Sequence, residues 1–238
     1  MGIKAVLFDL DGTLLPMDQD IFIKAYFGGL AKKLAPHGYE SSALIKAIWA
    51  GTAAMIKNNG DATNETVFWD TFAAIYGENA RNDEPLFEEF YKTDFGKVQD
   101  VCSYTENAAE VIHCLGSAGV RTVLATNPIF PAIATESRIR WAGLQPDDFE
   151  FYTTYENINY CKPNINYYKE ILNRLGLAPD ECIMVGNDVG DDMVAEKMGM
   201  KVFLLTDNLI NKQDEDISRY PNGGYDELQK FLREVISI

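Results

Sequence analysis

Positive charge is scarce in this chain. Its 21 lysines and arginines stand against 36 aspartates and glutamates, a net charge of −15, with a sequence pI of about 4.5. So acidic a chain offers no basic face for nucleic acid or an anionic membrane. If it handles an anion, the positive site must be local: a metal, a lysine or arginine, or helix N-termini. Paired cysteines are missing too. Cys102, Cys114, Cys161 and Cys182 are scattered without a C-x-x-C, which argues against a thiolate zinc site and for a reduced, cytoplasmic protein. No apolar run approaches the length of a membrane span. Met1-Gly2-Ile3-Lys4 leads straight into a strand-like run rather than a signal-peptide core. Histidine is limited to His37, in a polar turn, and His113, read as a mid-helix residue of the core region. No repeat or low-complexity tract is present.

What remains is 238 residues with 47% apolar content, enough for one large domain or a domain carrying an inserted module. Ile3 to Phe8 reads as a buried strand. From about Asp18 to Tyr91 the pattern is helical throughout: Gln19–Leu34, Ser42–Lys57, Asn64–Tyr76 and Glu84–Tyr91, with breaks at Pro36 and Gly38, at Asn58-Asn59-Gly60 and at Gly77. After about residue 100, helices and strands alternate. Helices are expected over Asn107–Ala118, Pro131–Ala142, Ile165–Leu175, Asp191–Met198 and Tyr225–Ile236. Strands are expected over Val120–Ala125, Phe149–Tyr152 and Cys182–Val185, with Lys201–Leu205 as the last. The first strand has no partner in the helical stretch, so it belongs with the later ones. The fold class is α/β: a Rossmann-like, doubly wound parallel sheet interrupted after its first strand by an all-α insert.

Ligands of such sheets bind beyond the carboxyl ends of the strands, and polar residues gather there: Asp9 and Asp11, then Thr126 and Asn127, the Tyr155–Lys162 loop, and Asn187, Asp188, Asp191 and Asp192. Asp9 and Asp11 share a side if the chain stays extended, and would repel unless a cation lies between them or one is protonated. A hard divalent ion such as Mg²⁺ suits carboxylate oxygens. Asp9 can be a fixed nucleophile toward phosphorus, and Asp11 a proton shuttle. Gly12 allows backbone amides to approach a phosphate, Thr126 can donate to a phosphoryl oxygen, and Lys162 can neutralise developing charge. Asp188 and Asp192 complete a metal site or hold Lys162. Trp49, Trp69 and Trp141 are read as packing, and the tyrosine-rich stretch 152–168 as loop packing.

Phe8-Asp9-Leu10-Asp11-Gly12-Thr13-Leu14 resembles the first motif, D-x-D-G-T, of the haloacid dehalogenase-like hydrolase superfamily. Thr126 in Leu124-Ala125-Thr126-Asn127 resembles the second, Lys162 in Cys161-Lys162-Pro163 the third, and Val185 to Asp192 the fourth. In the fourth, Asn187 stands where the commonest form has an acid and Asp188 follows, so either one could touch the metal; Asp192 matches in both alignments. The resemblance implies a Mg²⁺-dependent phosphatase acting on a small phosphorylated metabolite through an aspartyl-phosphate. Catalysis would fall to Asp9, Asp11, Thr126 and Lys162, phosphate binding to Asn127 and Gly12, and the metal to Asp9, Asp11, Asp188 and Asn187, with Asp192 behind them. It also implies a core of residues 1–15 and 95–238 and a helical C1 cap of residues 16–94, which carries no legible motif of its own. Asp11 argues against a dehalogenase. A phosphomutase, or a catalytically silent phosphate- or metal-binding module, is the alternative.

Overall fold

Ala5 and Leu7 bury into one apolar layer, Val6 and Phe8 into another, and all four are fully buried. A strand apolar on both faces belongs in the middle of a covered parallel sheet, and the computed structural model, which describes residues 2–236, places it there. β1 (Ala5–Phe8) lies between β2 (Arg121–Leu124) and β4 (Cys182–Gly186), with Leu7 opposite Val123 on one side and Met184 on the other. β3 (Phe151–Tyr152) extends the sheet beyond β2, and β5 (Lys201–Leu205) and β6 (Asn222–Gly223) extend it beyond β4. The order is β3-β2-β1-β4-β5-β6, every pair parallel. Strand order therefore reverses about β1, and the crevice of such a sheet opens beside its carboxyl end.

The helical stretch holds α1 (Gln19–Leu34), α2 (Ser41–Ile56), α3 (Asn64–Tyr76) and α4 (Glu84–Thr93), followed by a 3₁₀ segment at Phe95–Val101. Local chemistry starts these helices: Asp18 accepts from the Ile21 amide, Glu40 from those of Ser42 and Ala43, and Thr63 from that of Thr66. The two chain connections lie side by side. Met17 pairs antiparallel with Cys102, and the Ser103 amide donates to the Pro16 carbonyl at 2.8 Å. The remaining helices are α5 (Glu106–Ser117), α6 (Ala132–Trp141), α7 (Ile165–Leu175) and α8 (Tyr225–Ile236).

Three expectations change. β6 follows β5, so Lys201–Leu205 is not the last strand; a pair two residues long is too short to show periodicity. The helix expected over Asp191–Met198 is a 3₁₀ turn at Met193–Met198. There the carboxylate of Asp188 accepts from the amides of Gly190 and Asp191, and that of Asp192 from the Asp188 amide; side chains that bond local amides compete with a helix. His113 is exposed and lies 3.5 Å from Asp148, outside the core.

Candidate active site

Asp9 is the first residue after β1, and its backbone amide still donates to Val185 O at 2.9 Å. Its side chain is thereby fixed at the sheet's carboxyl edge. Lys162, from the loop before α7, donates to Asp9 Oδ1 at 2.8 Å and to Asp192 Oδ1 at 2.6 Å, with only 2% of its side chain exposed. Burial alone would lower the Lys162 ammonium, but Asp192 and Asp9 outweigh it and hold the group well above its usual range. Burial raises the Asp192 carboxyl most, Lys162 pulls it back and Asp9 adds to the rise. The hydrogen bonds decide for the ion-paired form, since Asp192 accepts from both Lys162 and the Asp188 amide and donates to neither.

Asp11 has its own cation. Arg138 of α6 is fully buried, donates through Nη1 to Asp11 Oδ2, donates to Thr135 and to the Ala134 carbonyl at 3.3 Å each, and lies 4.4 Å over the Phe130 ring. The repulsion expected between the two carboxylates is thus relieved first by protein cations, Lys162 for Asp9 and Arg138 for Asp11. The Asp11 carboxyl still sits above its ordinary range, because burial and the nearby Asp9 together exceed the pull of Arg138 and Lys162. The sequence patterns single out motifs at strand ends, and Arg138, in mid-helix, falls outside them. Its signal was an arginine three residues after Thr135 on a helix face whose other members are apolar.

Thr13, in the turn after Asp11, lies 3.3 Å from Asp9 Oδ2 and 3.1 Å from Asn187 Oδ1 as donor to either, and its carbonyl accepts from the Tyr225 hydroxyl of α8 at 2.8 Å. Asn127 accepts from the Lys162 amide at 3.3 Å and donates to Asp191 at 3.4 Å. The Thr126 carbonyl accepts from Tyr167 and Thr153, which anchors that strand end. Asp9, Asp11, Thr126, Asn127, Lys162, Asn187, Asp188 and Asp192 all line one cavity of about 330 Å³. Gly12 is not part of that lining. Its amide donates to the Leu15 carbonyl at 2.8 Å, so it is not free for a phosphate. Glycine is needed there for a different reason: φ is +87°, and a Cβ would meet Asn187 Nδ2 at 2.3 Å. Asp192, and not Asp188, holds Lys162.

The donor set suits a hard divalent cation. Asp11 Oδ1 is buried without a hydrogen-bond partner, and Asp188 and Asp191 add carboxylates at the same edge. Burial first, and then the negative charge of the neighbouring Asp188, push the Asp191 carboxyl upward. Among the described residues no three His, Cys, Asp or Glu side chains converge closely enough to hold a metal unaided. A cation would therefore need carbonyl, water or phosphate oxygens as well, as Mg²⁺ accepts.

The sequence model of a family described as haloacid dehalogenase-like hydrolase matches residues 3–199. The chain is 24% identical to a glyceraldehyde 3-phosphate phosphatase of Methanothermobacter thermautotrophicus, over 91% of this chain and 92% of that protein. It is 23% identical to the pyrophosphatase PpaX of Bacillus velezensis, over 84% and 81%. In fold it is similar to a 2-haloacid dehalogenase from Pseudomonas syringae pv. Tomato DC3000, with a TM-score of 0.64 at 18% identity over 98% of this chain and 99% of that one.

Proposed function

We propose, from the premise that this chain belongs to the haloacid dehalogenase-like hydrolase family, that it is a Mg²⁺-dependent phosphatase of a small phosphate monoester. The observation that carries this reading is the placement of Asp9. It is a carboxylate fixed at the carboxyl end of the central strand, held by the buried Lys162, with Asp11 two residues on in the same cavity. Similarity to proteins named as phosphatases supports it. Asp9, Asp11 and Asp188 or Asn187 would hold the Mg²⁺, which, when bound, neutralises phosphoryl oxygens.

In this reading an Asp9 oxygen bonds to phosphorus and the ester P–O bond breaks. The departing alkoxide takes the proton of the Asp11 carboxyl. Asp11, now a carboxylate, removes a proton from the attacking water. The new P–O bond forms as the bond to Asp9 breaks, which releases phosphate and restores Asp9. Arg138 keeps the Asp11 carboxyl in place through Oδ2 and leaves Oδ1 without a protein partner for this proton transfer. Thr126 and Asn127 bind phosphoryl oxygens, and Lys162 offsets their charge. Residues 16–94 act as a cap over this site on a core of residues 1–15 and 95–238.

The test is phosphate release from p-nitrophenyl phosphate with Mg²⁺. Wild-type protein is expected to turn over and to stop on addition of EDTA. Asp9→Asn is expected to lose activity by about a thousandfold or more, because an amide cannot form the acyl-phosphate. Near-wild-type turnover in Asp9→Asn would overturn the nucleophile assignment.

A further inference from the structure

The cavity has two unlike halves. The sheet side carries the carboxylates, Asn127 and Lys162. The side built from the helical stretch carries no charge: every lining residue between Met17 and Tyr91 is neutral, and rings dominate it, Phe22, Tyr26, Phe27, Trp49, Phe68 and Trp69 among them. Phe130 and Tyr155 of the core continue this wall. Gln19 and Thr52 are its non-aromatic polar side chains, and the hydroxyls of Tyr26 and Tyr91 are joined to each other at 2.9 Å.

Among the described residues lining the cavity, the cations are Lys162 and Lys212, both on the sheet side. Lys162 is already held by two carboxylates. A second anionic group on a bound ester would therefore meet no counter-charge in the helical half and would lose its hydration there uncompensated. An apolar group meets the opposite situation. Trp49 is 47% exposed and Ile56 44%, although both line the cavity. Part of each side chain is thus left uncovered by the protein's own packing, in the cavity that Asp9 also lines. A gap confined to the packing of the helices would not reach Asp9; this cavity does. About 330 Å³ is room for a phosphoryl group with one ring attached.

We infer that the alcohol portion of the substrate is uncharged, apolar and ring-bearing, so that the enzyme takes aryl or arylalkyl phosphate monoesters in preference to sugar phosphates or esters with a second acid. The inference rests on the phosphatase reading and names the substrate class of that same site. The rings of the helical half pack on the leaving group's ring, while the sheet side receives the phosphoryl group.

The experiment compares 2-phenylethyl phosphate with ethyl phosphate, glucose 6-phosphate and pyrophosphate, following phosphate release with Mg²⁺. The first two are both alkyl esters, so intrinsic leaving-group reactivity does not separate them. The phenylethyl ester is expected to have kcat/KM higher by at least about tenfold over each of the others. Trp49→Ala is expected to narrow the phenylethyl-to-ethyl ratio, chiefly by raising KM for the phenylethyl ester. Binding of 2-phenylethylphosphonate, which cannot be hydrolysed, is expected to change tryptophan fluorescence and to be at least about tenfold tighter than that of ethylphosphonate. Equal or better turnover of glucose 6-phosphate or pyrophosphate overturns the inference and leaves the phosphatase reading standing. If no ester releases phosphate, the phosphatase reading fails, and the phosphonate pair decides by itself: equal affinities overturn the aromatic site, and tighter phenylethyl binding upholds it.

Discussion

Arg138 and Lys162 give the two carboxylates of the first motif different stakes in stability. Lys162 keeps Asp192 when Asp9 is neutralised, so Asp9→Asn should melt within a few degrees of wild type. Arg138, fully buried, has Asp11 as its carboxylate partner. Asp11→Ala strands that guanidinium, and a broken buried pair costs about 3–5 kcal/mol. Because the Asp11 side chain is 20% exposed, the loss should fall toward about 3 kcal/mol by that measure. Thermal or urea unfolding of both variants checks the contrast; equal destabilisation would show that the Arg138 pair does not hold the site. The metal separates Asn187 from Asp188. Mg²⁺ should raise the melting temperature by mass action. Asp188→Ala, which removes a full charge, should weaken Mg²⁺ binding by calorimetry more than Asn187→Ala does. Asn187 shares the Thr13 hydroxyl with Asp9; if Asn187→Ala is the more damaging, Asn187 is the ligand.

At the scale of elements, β2 is tied to its neighbours at its start. Arg121 donates through Nε and Nη2 to Glu150, just before β3, and through Nη1 to Leu175 O at the end of α7. The paired guanidinium, above all by hydrogen bonding, holds the Glu150 carboxyl below its ordinary range. A carboxyl depressed in the folded state contributes stability above its unfolded range and loses it as pH falls through the folded one. Glu150→Gln should therefore lower the melting temperature slightly at pH 7, and the gap should close as the solution is acidified below the carboxylate range. With Glu150 42% and Arg121 33% exposed, solvent screening keeps the effect near 0.5 kcal/mol, about the middle of the range for such pairs. A gap that stays constant with pH would mean that packing, and not charge, is what the pair contributes.

The whole molecule is organised by one interruption of the sheet. The chain leaves after β1 and returns beside its own exit at Met17 and Cys102. Replacing residues 18–91 by a short linker should therefore leave a core able to bind Mg²⁺. Such a core should turn over a small activated ester poorly and without preference, because the apolar wall and the exclusion of water have gone. Turnover and Mg²⁺ binding are to be measured on soluble material, since the uncovered sheet edge carries Ile129, Phe130 and Tyr155. If the truncated core kept the substrate ranking of the full chain, specificity would lie in the core loops around Asn127 and residues 155–160.

The order of apolar runs and breakers determines the parallel sheet and the all-helical insert, because period 2 against period 3.6 is written locally. The strand-end positions of Asp9 and Thr126, and the loops that carry Lys162 and Asp192, are legible for the same reason. Other features depend on distances between segments far apart in the chain. Arg138 is 127 residues from Asp11, and only the docking of α6 against the first motif joins them. Gly12 reads in the sequence as room for backbone amides to approach a phosphate; only the tertiary structure brings Asn187 from after β4 against it and pairs its own amide with the Leu15 carbonyl. Trp49 and Trp69 read as packing because helical periodicity marks a face as apolar without saying what covers it. Only the tertiary structure turns part of that face toward a cavity shared with Asp9.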